Sequence, residues 1–571
     1  MLPLPRKFSP GSALLGALIY GLVFFNSSAQ AASSYKAVVV TPDSRASRAA
    51  LKVLEAGGNA ADALVTAQAV LNVVAPHSSG IFGGASLLYY DAVLRRILYF
   101  DGSVQASARA FPEMFLDSQQ GQPRVDYAEL RKTGLATGVP GALKVLSEIQ
   151  SRFGLRKMSF AELLEPAAAM AEEGVTVSES LAEALLAHRE ALQGSGDFQK
   201  VFFAGNRLLK AGETVRQEDL AKTFRLLQRK GPAVFYEGEL GNAFLDGARQ
   251  HQPGSGLLDK EDLKSYDLLR TDALYSNYKG YGVFTASPPS AGGVMFLAAC
   301  HILEKIDLSK YAARPETVHY IGEVMKQVDP LQQWIGDPDH FDLPVVSILS
   351  KEWAGKKAAN IPASKPGRYE NPKHLSLPEG KKPVSVSVLI IDRHGNIANY
   401  SASLGDAFGS GRMAPGTGGF LNDLLMDFSM DPGELKSPNF PNAPGPKRRP
   451  RNFFMPVVVF KQGKPTLVLN AVNGKESVGA ALNAFVQRVD FGVSCGSVLE
   501  VPRVFVRDGA LTLEGDLYEN DLWRVQLELF GHKIKKENFL GNGQMVCFEE
   551  DSGKMVAEND PRDSEDGAIG A

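Results

Sequence analysis

Residues 383–429 read PVSVSVLIIDRHGNIANYSASLGDAFGSGRMAPGTGGFLNDLLMDFS. Ser385, Val386, Ser387 and Val388 alternate a small polar side chain with a β-branched one, the period of a strand, so both serines share one face. Asp392-Arg393-His394-Gly395-Asn396 supplies turn chemistry before a second alternating run, Ile397 to Ser403, and the whole predicts a hairpin. A polar segment bearing glycine and proline, residues 359–382, leads directly into the first strand. A tail abutting a hydroxyl residue at the head of a buried strand suits an enzyme that cleaves its own backbone to expose a nucleophile. The α-amino group so freed, with a reference pKa of about 7.7–8.0, can act as general base for the adjacent hydroxyl.

The surrounding chain is compositionally ordinary. It has 571 residues, 44% hydrophobic and 22% charged, and a formal net charge of −3, which gives no global attraction to nucleic acid or anionic lipid. The basic run Lys447-Arg448-Arg449-Pro450-Arg451 reads as a solvated loop more readily than as an anion site. Arg6 and Lys7, an apolar run from Ala13 to Phe25, and the small-residue stretch ending at Ala31 make residues 1–31 a secretory signal peptide. The apolar run is too short for a span needing about twenty residues, so no stable membrane anchor is expected. The mature protein is then periplasmic or secreted. Cys300 sits in an apolar helical run as a core residue, while Cys495 and Cys547 are free to pair or not. The nine histidines are scattered without ligand spacing, so no metal is expected.

Toward the N-terminus the pattern is strand, helix, helix. Ala37 to Val40 is a short β-branched run; Ser44 is positioned to cap a helix reaching Leu54 and ending at Gly57-Gly58; a second helix runs from Asn59 to Asn72. The turn Pro76 to Gly84 is glycine-rich, but it lacks the order of a phosphate-binding loop and reads as a packing turn.

The quoted segment resembles the gamma-glutamyltranspeptidase family of N-terminal-nucleophile hydrolases, whose pattern there runs TTHxSVVDxxGNxV…TLNxxFGSG…PGTGxxLNNxMDDFS. Phe408-Gly409-Ser410-Gly411, Pro415-Gly416-Thr417-Gly418, Leu421-Asn422 and Asp427-Phe428-Ser429 match outright. Further matches, in order, include Thr137 to Gly141, Leu163 to Ala167, Phe235 to Glu239, Ser287 to Gly293, Gly336-Asp337-Pro338 and Asp560-Pro561-Arg562. The resemblance implies an α+β fold, a four-layer αββα sandwich. It also implies a large segment 32–384, with 359–384 as a flexible linker, and a small segment 385–571. Cleaved, the two would form a heterodimer folded as one unit.

The resemblance places Ser385 at the family's catalytic threonine, with cleavage between Val384 and Ser385, and Ser403 at the threonine that supports it. Ser387, on the same face, is the fallback nucleophile. Serine keeps the hydroxyl and loses the methyl that restricts the side-chain rotamer. An acyl-enzyme would be resolved by water or an amine acceptor, the substrate being a small-molecule amide or peptide; no cofactor is implied. Asn473 and Gly474 occupy the positions of the family's oxyanion glycines, whose backbone N–H groups are the donors. The glutamate-binding positions depart most. The family's arginine and serine pair become Ser103, Asn452 and Phe453, and two of its amino-group ligands become Gly405 and Leu424. Asp427 persists, and Asn422 lies beside it. Each charge-assisted hydrogen bond contributes about 1.5–3 kcal/mol, so these changes imply altered glutamyl specificity and a less polar pocket. The alternative is a catalytically inactive member of the family that binds or scaffolds.

Overall fold

The computed structural model describes residues 36–116, 126–192, 196–249, 256–369, 382–437, 439–549, 553–562 and 567–570. The signal peptide read at residues 1–31 and the linker stretch 370–381 lie outside the described residues.

Two antiparallel sheets form the centre. The seven-stranded sheet runs, edge to edge, Ala568–Gly570, Val38–Val40, Pro383–Ile391, Ile397–Asp406, Gly84–Asp91, Arg96–Gly102 and Leu269–Thr271. The six-stranded sheet runs Met555–Asn559, Asn542–Phe548, Lys464–Val472, Met455–Lys461, Tyr281–Thr285 and Leu274–Tyr278. Neither sheet face is left to water, because strand alternation supplies two apolar faces. Val38, Val40, Leu389, Ile391, Val458, Val468 and Val546 fill the space between the sheets. Their neighbours Val39, Val386, Val388 and Ile390 point the other way, into a layer with the helices Ser44–Glu55, Ala60–Val74 and Ala142–Phe153. On the far side Val457, Val459, Leu467 and Leu469 pack on the helices Ala291–Leu303, Pro315–Val328 and Glu476–Val489. The result is the αββα sandwich that the resemblance implies. Among the described residues no helix is long and apolar enough to cross a membrane.

Buried amides tie the sheets together. Asn470 Nδ2 donates to Asn399 Oδ1 at 2.7 Å and to the Tyr400 carbonyl at 3.0 Å. Asn399 Nδ2 donates to the carbonyls of Val457 and Leu469. Ser387 Oγ meets Gln544 Oε1 at 2.8 Å, so the second serine of the strand is held by the opposite sheet. Such satisfied polar pairs cost little and fix how the sheets register on each other.

Candidate active site

Strand register assembles the site. Ser385 pairs with Ser403, Ser403 with Gly84, and Ala85 with Gly102, the residue before Ser103. These positions therefore form a row across four adjacent strands at one rim of the sandwich. The other sheet delivers two loops to its own strand ends: Asn473-Gly474 follows Lys464–Val472, and Asn452-Phe453 precedes Met455–Lys461. A Cβ on Gly474 would lie 3.2 Å from Pro383 Cγ, so the Asn473-Gly474 turn touches the chain just ahead of Ser385. Close approach on the first sheet also requires glycine: a Cβ on Gly83 would meet the Ser403 carbonyl oxygen at 2.5 Å.

The hairpin ladder slips between Val384 and Ser385. A bulge breaks regular pairing and re-aims the groups around it. Ser403 Oγ donates to the Val384 carbonyl oxygen at 2.6 Å and accepts from Gly405 N–H at 2.8 Å. The carbonyl bonded to the Ser385 nitrogen is thus polarised by a hydroxyl, and that hydroxyl is itself oriented by backbone. Ser385 N–H leaves the ladder and donates to Asn473 Oδ1 at 3.1 Å. Asn473 and Gly474 have φ of +80° and +71°. Asparagine tolerates this left-handed region better than most residues.

Two of the residues expected to bind the acyl group, Ser103 and Asn452, bond to one another. Asn452 Nδ2 donates to Ser103 Oγ at 2.7 Å, and Asn452 Oδ1 accepts from Phe454 N–H. Tyr266 donates to the Ser103 carbonyl at 2.8 Å. Leu424 is buried in an apolar cluster with Val104, Met114, Phe115, Leu425 and Phe428. Phe453 is part-buried against the helical layer of the second sheet. Asn422 is committed to the scaffold: Nδ2 donates to the carbonyls of Phe82 and Gly138, and Oδ1 accepts from Gly138 N–H. Asp427, half-buried, accepts on its backbone carbonyl from Asn442 Nδ2. Arg449 faces Asp337 and Asp339 rather than Asp427. Arg451, half-buried, donates to the Gln332 carbonyl, and the Asp427 carboxylate is among the charges acting on its guanidinium.

Sequence reasoning did not find the ionic group beside Gly405. Arg131 lies 3.3 Å from Asp423 Oδ2 through Nε and 3.5 Å from Asp406 Oδ2 through Nη1, all three buried. Its Nη2 also donates to the carbonyls of Ala407 and Gly409. Asp423 Oδ1 accepts from Asp406 N–H, and Asp406 Oδ1 accepts from Lys382 N–H, three residues before Ser385. Gly405, with φ +110°, is forced by this group, since a Cβ there would sit 1.8 Å from Asp423 Oδ1. A usable signal was present: two carboxylates in a buried apolar stretch demand a cation.

Away from this rim, His319, Glu323 and His532 are close enough together to invite comparison with a metal site. Their polar atoms are already satisfied. His319 Nε2 donates to the Pro362 carbonyl at 2.7 Å, leaving Nδ1 to accept from His532 Nε2 at 2.8 Å. Lys326 Nζ sits 2.7 Å from Glu323 Oε1 and 3.4 Å from His532 Nδ1, where an ion would have to sit. Gly367 N–H and Tyr369 Oη donate to the other Glu323 oxygen. An ammonium completes this cluster, and no ion is assigned to it.

A family model described as Gamma-glutamyltranspeptidase matches residues 46–570. The glutathione hydrolase proenzyme of Bacillus subtilis (strain 168) is 30% identical over 541 residues, covering 91% of this chain and 90% of that protein. The acylase ACY 1 proenzyme of Pseudomonas sp. (strain SE83) is 28% identical over 526 residues, covering 91% of each. Among solved structures, the cephalosporin acylase of Bacillus halodurans superposes with a TM-score of 0.83 at 24% identity, covering 99% of both chains, a likeness of fold. With these matches running from the first described helix to the last strand, the chain belongs to the gamma-glutamyltranspeptidase family of N-terminal-nucleophile amide hydrolases and acyltransferases.

Proposed function

We propose that this chain is an exported amide hydrolase or acyltransferase that cleaves itself before Ser385 and uses the freed serine as nucleophile. The observation that carries the reading is the 2.6 Å hydrogen bond from Ser403 Oγ to the Val384 carbonyl, at the bulge in the strand. Attack by Ser385 Oγ on the Val384 carbonyl carbon would form a tetrahedral oxyanion facing that donor. Collapse breaks the C–N bond, the proton lost by the hydroxyl ends on the departing nitrogen, and an ester results. Water hydrolyses the ester and leaves Ser385 with a free amino group and a free hydroxyl. In turnover the amine takes the hydroxyl proton, the acyl group passes to Ser385 Oγ, and water or an amine releases it.

Acyl specificity has moved away from glutamate. The Ser103–Asn452 pair satisfies itself where the resemblance puts carboxylate ligands, and Leu424 and Phe453 add apolar surface. Such a site favours an acyl group lacking the α-amino and α-carboxylate charges, such as an uncharged aliphatic acyl chain. Export is supported by the Cys495–Cys547 disulfide, since such bonds persist in oxidising compartments.

The test is mass spectrometry of the natively purified mature chain and of Ser385→Ala. Two fragments meeting at Val384/Ser385, with one uncut chain for the variant, are expected. The cut protein should release amine from aliphatic acyl anilides faster than from γ-glutamyl anilides. An uncut wild-type chain inert toward both would instead support the reading of a family member kept for binding alone.

A further inference from the structure

Asn473 enters the site for its backbone, yet its side chain makes the contact that matters most for the nitrogen of Ser385. The bulge takes Ser385 N–H out of the ladder, and Asn473 Oδ1 receives it at 3.1 Å from the opposite sheet. A half-buried backbone donor taken out of the ladder is best satisfied by such an acceptor before cleavage. After cleavage the same nitrogen is the base.

We infer that the Asn473 carboxamide is the positioning residue for the α-amino base, fixing the direction of its lone pair toward Ser385 Oγ. The inference rests on the proposed self-cleavage and deepens it. The resemblance puts a glycine at this position and a threonine at the nucleophile, so the Asn473 side chain and Ser385 are both departures from the family pattern. The two departures fit one account. Serine lacks the methyl that limits rotation about χ1, and a tethered amine limits the geometries in which hydroxyl and lone pair can meet. A neutral amide oxygen is also suited to the task. It accepts from the amine in either protonation state, whereas a carboxylate at 3 Å would hold the ammonium form and remove the base.

Backbone geometry makes the position testable. At φ +80°, Asn473→Gly keeps the turn and the N–H groups beside Gly474, deleting only the carboxamide. Asn473→Asp keeps size and acceptor and adds charge. The experiment measures kcat and KM against pH for wild type and both variants on an aliphatic acyl anilide, per mole of fragment beginning at Ser385. For Asn473→Asp the acid limb of kcat/KM is expected to move up by about one pH unit or more, because a carboxylate stabilises the adjacent ammonium. For Asn473→Gly, kcat is expected to fall about ten- to a hundredfold with KM within about twofold. An acid limb unchanged in Asn473→Asp overturns the inference, because a merely structural asparagine would change rate or folding without moving it. Asn473→Asp supplies that decision even where Asn473→Gly processes poorly. Absence of cleavage in wild type would instead overturn the function proposed above.

Discussion

Ser403 has a hydroxyl with one proton to give, and it gives it to the Val384 carbonyl while its lone pair holds Gly405 N–H. Ser403→Ala removes both at once. A hydrogen bond of this kind contributes about 1–3 kcal/mol when a buried partner is left unmatched, so self-cleavage should slow by roughly 5- to 100-fold. The rate of fragment appearance in freshly purified protein measures it, and cleavage at the wild-type rate would remove Ser403 from the account. Arg131 gives a different signature. Replacing it with leucine strands Asp406 and Asp423 without their cation, and breaking a buried pair from one side costs about 3–5 kcal/mol. Urea midpoints read that loss directly. The pairing of Ser385 with Ser403 follows from strand period and the hairpin turn, both legible in the sequence, whereas their expected roles came from the resemblance alone. The Ser103–Asn452 bond was not legible, since it joins residues 349 positions apart and depends on two sheets stacking in one register. The same holds for Arg131, whose partners lie far along the chain although their need for a cation was visible.

At the scale of elements, the hairpin appears as read: strands Pro383–Ile391 and Ile397–Asp406 joined through Gly395, with Asp392 Oδ1 accepting from His394 and Asn396 N–H groups. Helix starts were less legible. Asp43, not Ser44, caps the first helix, its carboxylate accepting from Arg45 N–H, because an extended Asp one residue earlier offers a stronger acceptor. Asn59 caps the second helix in a box with Asp62, and that helix runs on to Val74 because its every side is buried. The tail entering the hairpin, read as a flexible linker from residue 359, begins as a tethered one. Pro362, Gly367 and Tyr369 are held by the His319–Glu323–His532 group, which no local pattern announces. Cysteine pairing, left open by the sequence, is settled: Cys495 in the short helix Cys495–Val498 bonds Cys547 in the strand Asn542–Phe548, and Cys300 is free and buried. The bridge closes a loop of 52 residues, for which chain entropy gives about 4 kcal/mol of stabilisation. The double replacement Cys495→Ser/Cys547→Ser should therefore lower the urea midpoint markedly and make Tm insensitive to reductant. A variant as stable as wild type would show the strand and helix to be held by packing alone.

Across the whole molecule, the histidines decide how the fold responds to acid. Burial lowers the pKa of His77, helped by His188, to about 4. Burial lowers that of His301, helped by Lys351, to about 4. The same value holds for His532, by burial and then by Lys326 and His319. His188 and His319 are also pushed down by burial. In the unfolded chain all five titrate near 6.5. Between about pH 6.5 and 4 the unfolded chain therefore binds more protons than the folded one, and stability falls as pH falls, by up to about 1.4 kcal/mol per pH unit for each such histidine. Above pH 6.5 the contribution is complete and flat. Asp101 and Asp329 act in the opposite sense, because burial raises their carboxyls and protonating them relieves the fold. The two raised carboxyls stand against five depressed histidines and against carboxyls such as Asp267, held low by the Arg270 guanidinium, which also lose stabilisation as they protonate, so the net slope is positive. Tm measured from pH 8 to pH 4.5 should hold level and then drop below about pH 6.5. In His532→Gln the midpoint at neutral pH should be lower, since His319 Nδ1 loses its donor, and the acid slope should be shallower by one histidine's share. A slope unchanged in that variant would mean that the cluster on the Pro315–Val328 helix opens and takes up protons without unfolding the sandwich.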